Sequence, residues 1–240
     1  MQYAGKMRAA VAVATLFIGL AISAAETFDQ YVSDIRILQA KPVQKELALT
    51  EAQRTKMNQA AQRNRDFLQT LDNKYRGQKM TPEIQKEIQP QIGRQFQKLK
   101  VEVLAVLTPA QTKRLGEITL QRAAWTGLAD ERVAKEAGLT PAQTKQVRSI
   151  LETGGGKAMA VSQAAINPVL KKYEGVKPKD EAEAKALREK AQKEVMAARR
   201  SVDPQVNRIQ DDTIKKLKAA VPAAALAKYQ KMQGKTFRVK

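Results

Sequence analysis

The chain reads as an all-α protein, and three observations carry that reading. Ala, Gln, Lys, Glu, Leu and Arg dominate, and runs of aromatic and β-branched residues suited to strands are missing. Apolar residues recur at three- and four-residue steps over long stretches. The segment Leu-Thr-x-x-Gln, which has the chemistry of a helix start, occurs at Leu49-Thr50-Glu51-Ala52-Gln53, Leu107-Thr108-Pro109-Ala110-Gln111 and Leu139-Thr140-Pro141-Ala142-Gln143. The expected architecture is an elongated antiparallel helical hairpin with additional irregular helices.

Residues 1–25 read as an export signal. Lys6 and Arg8 give a positive start, Ala9 to Ala21 is a short apolar run, and Ser23 and Ala25 suit cleavage before Glu26, with cleavage one residue earlier also fitting. The run falls short of the roughly 20 residues a bilayer span needs. A periplasmic or secreted chain, cleaved near Ala25-Glu26, is therefore expected.

The first helix is expected over 28–38, and Pro42 opens a second short piece ending near Leu47. Thr50 caps a long helix to about Arg76, whose apolar stripe is Met57, Ala61, Phe67, Leu68, Leu71 and Tyr75. Gly77 breaks it. Thr81 restarts the chain, and Ile84, Ile88, Ile92, Phe96, Leu99, Val103 and Leu107 line one face of the next helix. Pro90 inside that helix predicts a kink near Lys86, because proline removes one backbone bond and crowds the preceding turn. Two long helices joined by a short turn are the expected hairpin.

Thr108 starts a helix with Leu115, Ile118 and Trp125 facing inward and Gly127 as its stop. A short helix over 129–137 closes at Gly138. Thr140 opens another, carrying Val147, Ile150 and Leu151. Gly154-Gly155-Gly156 is expected to interrupt it, since each central glycine costs about 1 kcal/mol relative to alanine. A piece over 159–173 follows and holds Pro168. Asp180 caps a polar helix to about Arg200, Asp203-Pro204 caps one carrying Val206, Ile209, Leu217 and Val221, and Val221-Pro222 opens the last, with Leu226, Tyr229 and Met232 ahead of Gly234. The organisation expected is a 26–107 hairpin region, a 108–174 region with repeated starts, a 175–179 linker and a 180–240 helical region. A domain boundary near Leu107 and a single elongated domain both fit.

In each motif the threonine is a good N-cap and the glutamine, at the third helical position, can answer the cap's own N–H to complete a capping box. Pro109 and Pro141 fall at the first helical position, where a missing N–H costs nothing. Leu49, Leu107 and Leu139 precede the cap and are placed to fold back on the helix they introduce. The structural motif residues are thus Leu49, Thr50, Gln53, Leu107, Thr108, Gln111, Leu139, Thr140 and Gln143. Val221-Pro222-Ala223-Ala224-Ala225 reads as a further copy that has lost its Thr and Gln, so its capping must differ.

Composition narrows the chemistry. The net charge is +19, of which Lys6 and Arg8 belong to the leader, leaving +17. That balance admits anionic lipid, envelope polymers, nucleic acid or acidic unfolded chains as partners. With no Cys and no His, zinc- and copper-type sites lack good ligands and serines lack a histidine partner, so no metal, no cofactor and no catalytic residue is expected. Gly154-Gly155-Gly156-Lys157 lacks the spacing of a phosphate loop, and Ala158 stands where its hydroxyl would be needed. Nucleic-acid binding is disfavoured by the export signal and by the lack of a finger, wing or stacking platform.

Across residues 43–126 the chain resembles the exported Leu-Thr-x-x-Gln family of Gram-negative envelope proteins, which includes Spy-like and CpxP-like stress proteins. The first two motifs match that family's pair. The whole chain is similar to longer exported proteins of planctomycete-type bacteria, in which a Val-Gln-Lys-Glu-Leu-x-Leu-Thr start, here Val43 to Thr50, is followed by further copies and a closing Gly-Lys-x-Phe, here Gly234 to Phe237. The resemblance implies a helical hairpin, a homodimer and an ATP-independent holdase for unfolding clients, or alternatively a modulator of an envelope sensor kinase. Residues 127–240 have no counterpart in the shorter members, and the lack of His argues against the zinc binding of a related group. Arg54, Lys56, Arg63, Arg65, Arg94, Lys98 and Lys100 are the expected basic client-binding face, while Phe67, Phe96 and Trp125 are expected in the core. A structural scaffold held to anionic envelope polymer or lipid by the basic charge is the other reading from composition. Enzyme activity is the least supported.

Overall fold

A computed structural model describes residues 26–79, 81–176 and 178–238, and the residues of the expected export signal lie outside that range. The fold is predominantly helical, and no strand occurs among the described residues. It divides into two compact units, one running through Thr119 and regaining the chain from Phe237, the other spanning Leu120–Thr236.

In the first unit Thr27 and Gln30 form a capping box that starts α1 (Phe28–Val32). The single helix expected over 28–38 is broken at Ser33 and Asp34. Ser33 is buried and turns its hydroxyl to the carbonyls of Asp29 (2.6 Å) and Thr112 (3.2 Å), while the Asp34 carboxylate accepts from Arg36 N–H and starts a 3₁₀ turn, Ile35–Gln39. That turn buries Ile35, Ile37 and Leu38. Helix α2 (Lys41–Glu46) ends in a Schellman arrangement, Ala48 N–H to Lys45 O (3.0 Å) and Leu49 N–H to Gln44 O (3.1 Å), with Ala48 in the left-handed region at φ +48°. Thr50 then caps α3 (Glu51–Tyr75), and α4 (Pro82–Leu104) and α5 (Pro109–Ala123) follow. Helix α4 continues through Pro90.

The first core gathers at the motif end of these helices, around Leu38, Val43, Leu47, Leu49, Val103, Leu104, Leu107, Leu115 and Ile118, with Phe237 packed against it. The expected stripes are buried unevenly along the two helices. Leu71 and Val103 are buried and Met57, Phe67, Tyr75, Ile84, Ile88 and Leu99 are half-buried. Leu68, Ile92 and Phe96 are exposed, at 39%, 41% and 37%, because α3 and α4 have no third layer over those positions within this unit.

The second unit opens with a 3₁₀ turn, Ala124–Ala129, so the helix expected to stop at Gly127 stops at Ala123, where Ala124 takes φ +45°. Gly127 has another role: a Cβ there would lie 3.2 Å from Tyr229 Cζ and closer to its hydroxyl, which donates to Ala124 O. Asp130 caps α6 (Glu131–Ala137), and Gly138, at φ +93°, ends it. Helix α7 (Pro141–Tyr173) runs unbroken through Gly154, Gly155, Gly156 and Pro168, against the expected interruption. Packing overrides the local propensity, since α7 lies along α9 (Asp203–Ala220) and along α8 (Glu181–Ser201). Asp180 caps α8 as expected, whereas the cap of α9 is Val202, with Asp203 as its first helical residue. Helix α10 (Ala223–Met232) starts after Pro222 without a side-chain cap.

The two units follow one plan: 3₁₀ turn, short helix, left-handed residue, motif, long helix, return segment, second motif position, final helix. At a constant offset of 90 residues (139 less 49), Leu38, Val43, Lys45, Glu46, Leu49, Thr50, Ala52 and Gln53 meet Leu128, Val133, Lys135, Glu136, Leu139, Thr140, Ala142 and Gln143. The Schellman bonds repeat in register, with Gly138 N–H to Lys135 O (3.0 Å) and Leu139 N–H to Ala134 O (2.9 Å). At the second motif position the offset is 114 (221 less 107), which pairs Leu107 with Val221, Gln111 with Ala225, Arg114 with Lys228 and Leu115 with Tyr229. An ion pair confirms that register: Arg114 meets Glu46 at 2.6 Å, and Lys228 meets Glu136 at 3.5 Å.

Candidate functional site

The motif residues build a polar clasp inside the first unit. Each glutamine closes its own box: Thr50 N–H donates to Gln53 Oε1 (3.0 Å) and Thr108 N–H to Gln111 Oε1 (2.9 Å), while the Gln53 and Gln111 N–H groups donate to the threonine hydroxyls, each at 3.2 Å. The two side chains then meet as a reciprocal amide pair, Gln53 Nε2 to Gln111 Oε1 (2.8 Å) and Gln111 Nε2 to Gln53 Oε1 (3.2 Å). Each amide's second hydrogen goes to the backbone just before the other motif, Gln53 to Val106 O and Gln111 to Leu47 O, both at 3.0 Å. Every donor and acceptor of both amides is engaged, and only one O/N assignment satisfies all of these bonds. The leucines are buried beside them, Leu49 at 5% and Leu107 at 8% exposure.

The third motif forms its box in the same way, Thr140 N–H to Gln143 Oε1 at 2.9 Å, and Leu139 is buried. No clasp follows, because Ala225 occupies the position equivalent to Gln111. The nine motif residues are thus helix starts and packing positions, and two of them do more: they join two segments 58 residues apart in the chain.

The expected basic face divides in two. Lys100 is 12% exposed and donates to Tyr31 O (2.8 Å) and Glu26 (2.9 Å), Arg63 pairs with Glu102 (2.8 Å), and Arg54 binds Leu49 O (2.8 Å) and Glu51. Lys56, Arg65, Arg94 and Lys98 are exposed; Arg65 donates to the Gln62 side chain at 2.6 Å and 3.0 Å.

A cleft of about 200 Å³ opens above the first core, between the 3₁₀ turn and helices α3 and α4. Leu38, Met57, Leu99 and Val103 form its apolar bottom, and Arg36, Arg54, Gln39, Asn58 and Phe96 stand around it. Arg36 is held in a two-point pair with Asp34, at 2.8 and 2.9 Å, and keeps 76% of its side chain in solvent. The arrangement offers apolar contact with guanidinium groups beside it. Phe96, expected in the core, is at its rim. Arg36, Gln39 and Asn58 were not singled out from the sequence; for Arg36 and Gln39 the break at Ser33, which turns this segment into a 3₁₀ turn, leaves no local periodic signal.

Among the described residues no helix is long and apolar enough to cross a membrane, and no group of three or more acidic, His or Cys side chains is placed to hold a metal ion. Comparison with family models, curated proteins and solved structures finds no match.

Proposed function

We propose that the protein is an exported, non-enzymatic binding protein that holds unfolding or anionic chains on the helices of its first unit, as an ATP-independent holdase. The observation that carries this reading is the exposed pair Ile92 and Phe96, at 41% and 37%, on the same helix that lines the Arg36 and Arg54 cleft. Charge attracts acidic segments over about a Debye length, and apolar side chains then hold them weakly. In this reading α3 and α4 form an antiparallel hairpin, which the cross-helix pairs Lys74–Glu87 (2.8 Å) and Arg63–Glu102 (2.8 Å) support. The net charge of +19 also favours a second reading, a scaffold on anionic envelope polymer.

The test adds the mature chain at near-stoichiometric amounts to an aggregating client, at low salt and at about 0.3 M salt. Suppression that weakens with salt, and that falls in an Ile92→Ser/Phe96→Ser variant, is expected. No suppression at either salt sinks the holdase reading, and pelleting with peptidoglycan in the same buffers would then favour the scaffold.

A further inference from the structure

A second cleft, a half-open groove of about 360 Å³, lies within the Leu120–Thr236 unit between α7 and α9. Gly154 sits at its base. A Cβ there would come within 2.8 Å of Thr213 Cβ, so glycine lets the two helices approach. Lys157, Arg208 and Lys216 line the cleft against a single carboxylate, Asp212. Asp212 pairs with Lys216 at 2.7 Å, and that hydrogen bond, aided by the charge of Lys157, holds its carboxyl below the usual range. Three cations and one anion leave an excess of two positive charges in one concave site.

The first unit shows how unusual this is. In register, Lys157, Thr153 and Lys216 stand where Phe67, Arg63 and Glu102 stand in the first unit. There, Arg63 and Glu102 close across the helices at 2.8 Å and Phe67 is half-buried between them and the tip. In the second unit the bridging pair is gone, the aromatic is a lysine, and the three cations share the one carboxylate of Asp212.

We propose that this cleft binds a small soluble anion carrying a phosphate dianion. A dianion balances the local excess, whereas a single carboxylate leaves one charge over. Arg208 supplies a planar fork and Lys157 and Lys216 supply point charges, the two donor types that phosphate oxygens accept. The volume falls at the low end of small-molecule sites, roughly 300–1,000 Å³. Recognition is by side chains, since the N–H groups around Gly154 are spent inside α7. The inference does not rest on the holdase reading.

The test is isothermal titration of the full chain with glycerol phosphate, a monoester dianion at about pH 8, in about 0.1 M salt. One saturable site with a Kd below about 1 mM is expected. Lys157→Gln/Arg208→Gln should raise Kd by about tenfold or more with an unchanged melting curve. Lys185→Gln/Lys193→Gln, the same loss of charge on the exposed face of α8, should leave Kd alone. The proposal is overturned by the absence of saturable binding, or by equal weakening in both double variants, which would mean diffuse charge. Retention on anionic phosphatidylglycerol vesicles without glycerol phosphate binding overturns it too, in favour of a lipid surface.

Discussion

Replacing Gln53 by Ala should destabilise the protein far more than replacing Gln143, although both close identical capping boxes. Gln143→Ala removes a single box bond, a net loss of about 0.5–1 kcal/mol. Gln53→Ala removes its box bond, its bond to Val106 O and both bonds of the amide pair. At about 0.5–1 kcal/mol net for each of these four part-exposed bonds, the cost is roughly 2–4 kcal/mol. Gln111→Ala should match it. The two mutual bonds are lost in each single variant and only once in the double, so the double should cost less than the sum by about 1–2 kcal/mol. Gln53→Glu keeps the shape but turns a donor into an acceptor facing Val106 O and Gln111 Oε1, and should cost more than Ala at neutral pH. Urea denaturation followed by circular dichroism, with unchanged m-values, gives these differences. Equal costs at Gln53 and Gln143, or strict additivity of Gln53 and Gln111, would refute the clasp.

Three further outcomes follow from the backbone and the second core. Gly155→Ala and Gly156→Ala, with open space at their Cβ positions, should each stabilise by about 0.5–1 kcal/mol, while Gly154→Ala should destabilise by about 1–3 kcal/mol through its clash with Thr213, all read by thermal melts. Ala48→Gly should stabilise by roughly 0.5 kcal/mol by relieving φ +48°, and Gly138→Ala, at φ +93°, should lose about 1 kcal/mol. Burial pushes the Tyr229 hydroxyl up to about 12, so the fold favours its neutral form. Its contribution is complete below the usual tyrosine range near pH 10 and is lost at about 1.4 kcal/mol per pH unit as pH rises through 12. Absorbance at 295 nm should show one tyrosine ionising together with unfolding, and Tyr229→Phe should remove that late step.

Helix starts were the most legible part of the sequence. Thr50, Thr140 and Asp180 cap the helices they were expected to cap, because a cap is a local bond between residues three apart. The three glycines at 154–156 misled for the opposite reason. Their propensity argues for a break, yet the contact that decides the matter comes from Thr213, far along the chain. The apolar stripe of α4 fixed a face but not its cover, so Phe96 and Ile92 look like core from their spacing and are exposed in the fold. The clasp was illegible for a related reason. The sequence specifies that Gln53 and Gln111 answer their own caps, and nothing local says that they also answer each other.

Comparing the two units separates what the motif must do from what it can lose. Both keep the buried residue before the second final helix, Leu107 or Val221, and both keep the ion pair beside it. Where the first unit joins its halves with Gln111, the second has Ala225 and holds its final helix differently. Tyr229 replaces Leu115 as a fully buried side chain, Gly127 makes room for its ring, and its hydroxyl reaches Ala124 O. An aromatic anchor has taken over from a polar clasp, so the glutamines serve cohesion and need not contact a partner. Residues that differ between the units without a compensating core contact are better candidates for function. Those are the rim of Arg36, Arg54 and Phe96 in one unit and the cations Lys157 and Lys216 in the other. Two clefts of different chemistry on one repeated frame predict that variants in each rim will alter one binding activity and spare the other.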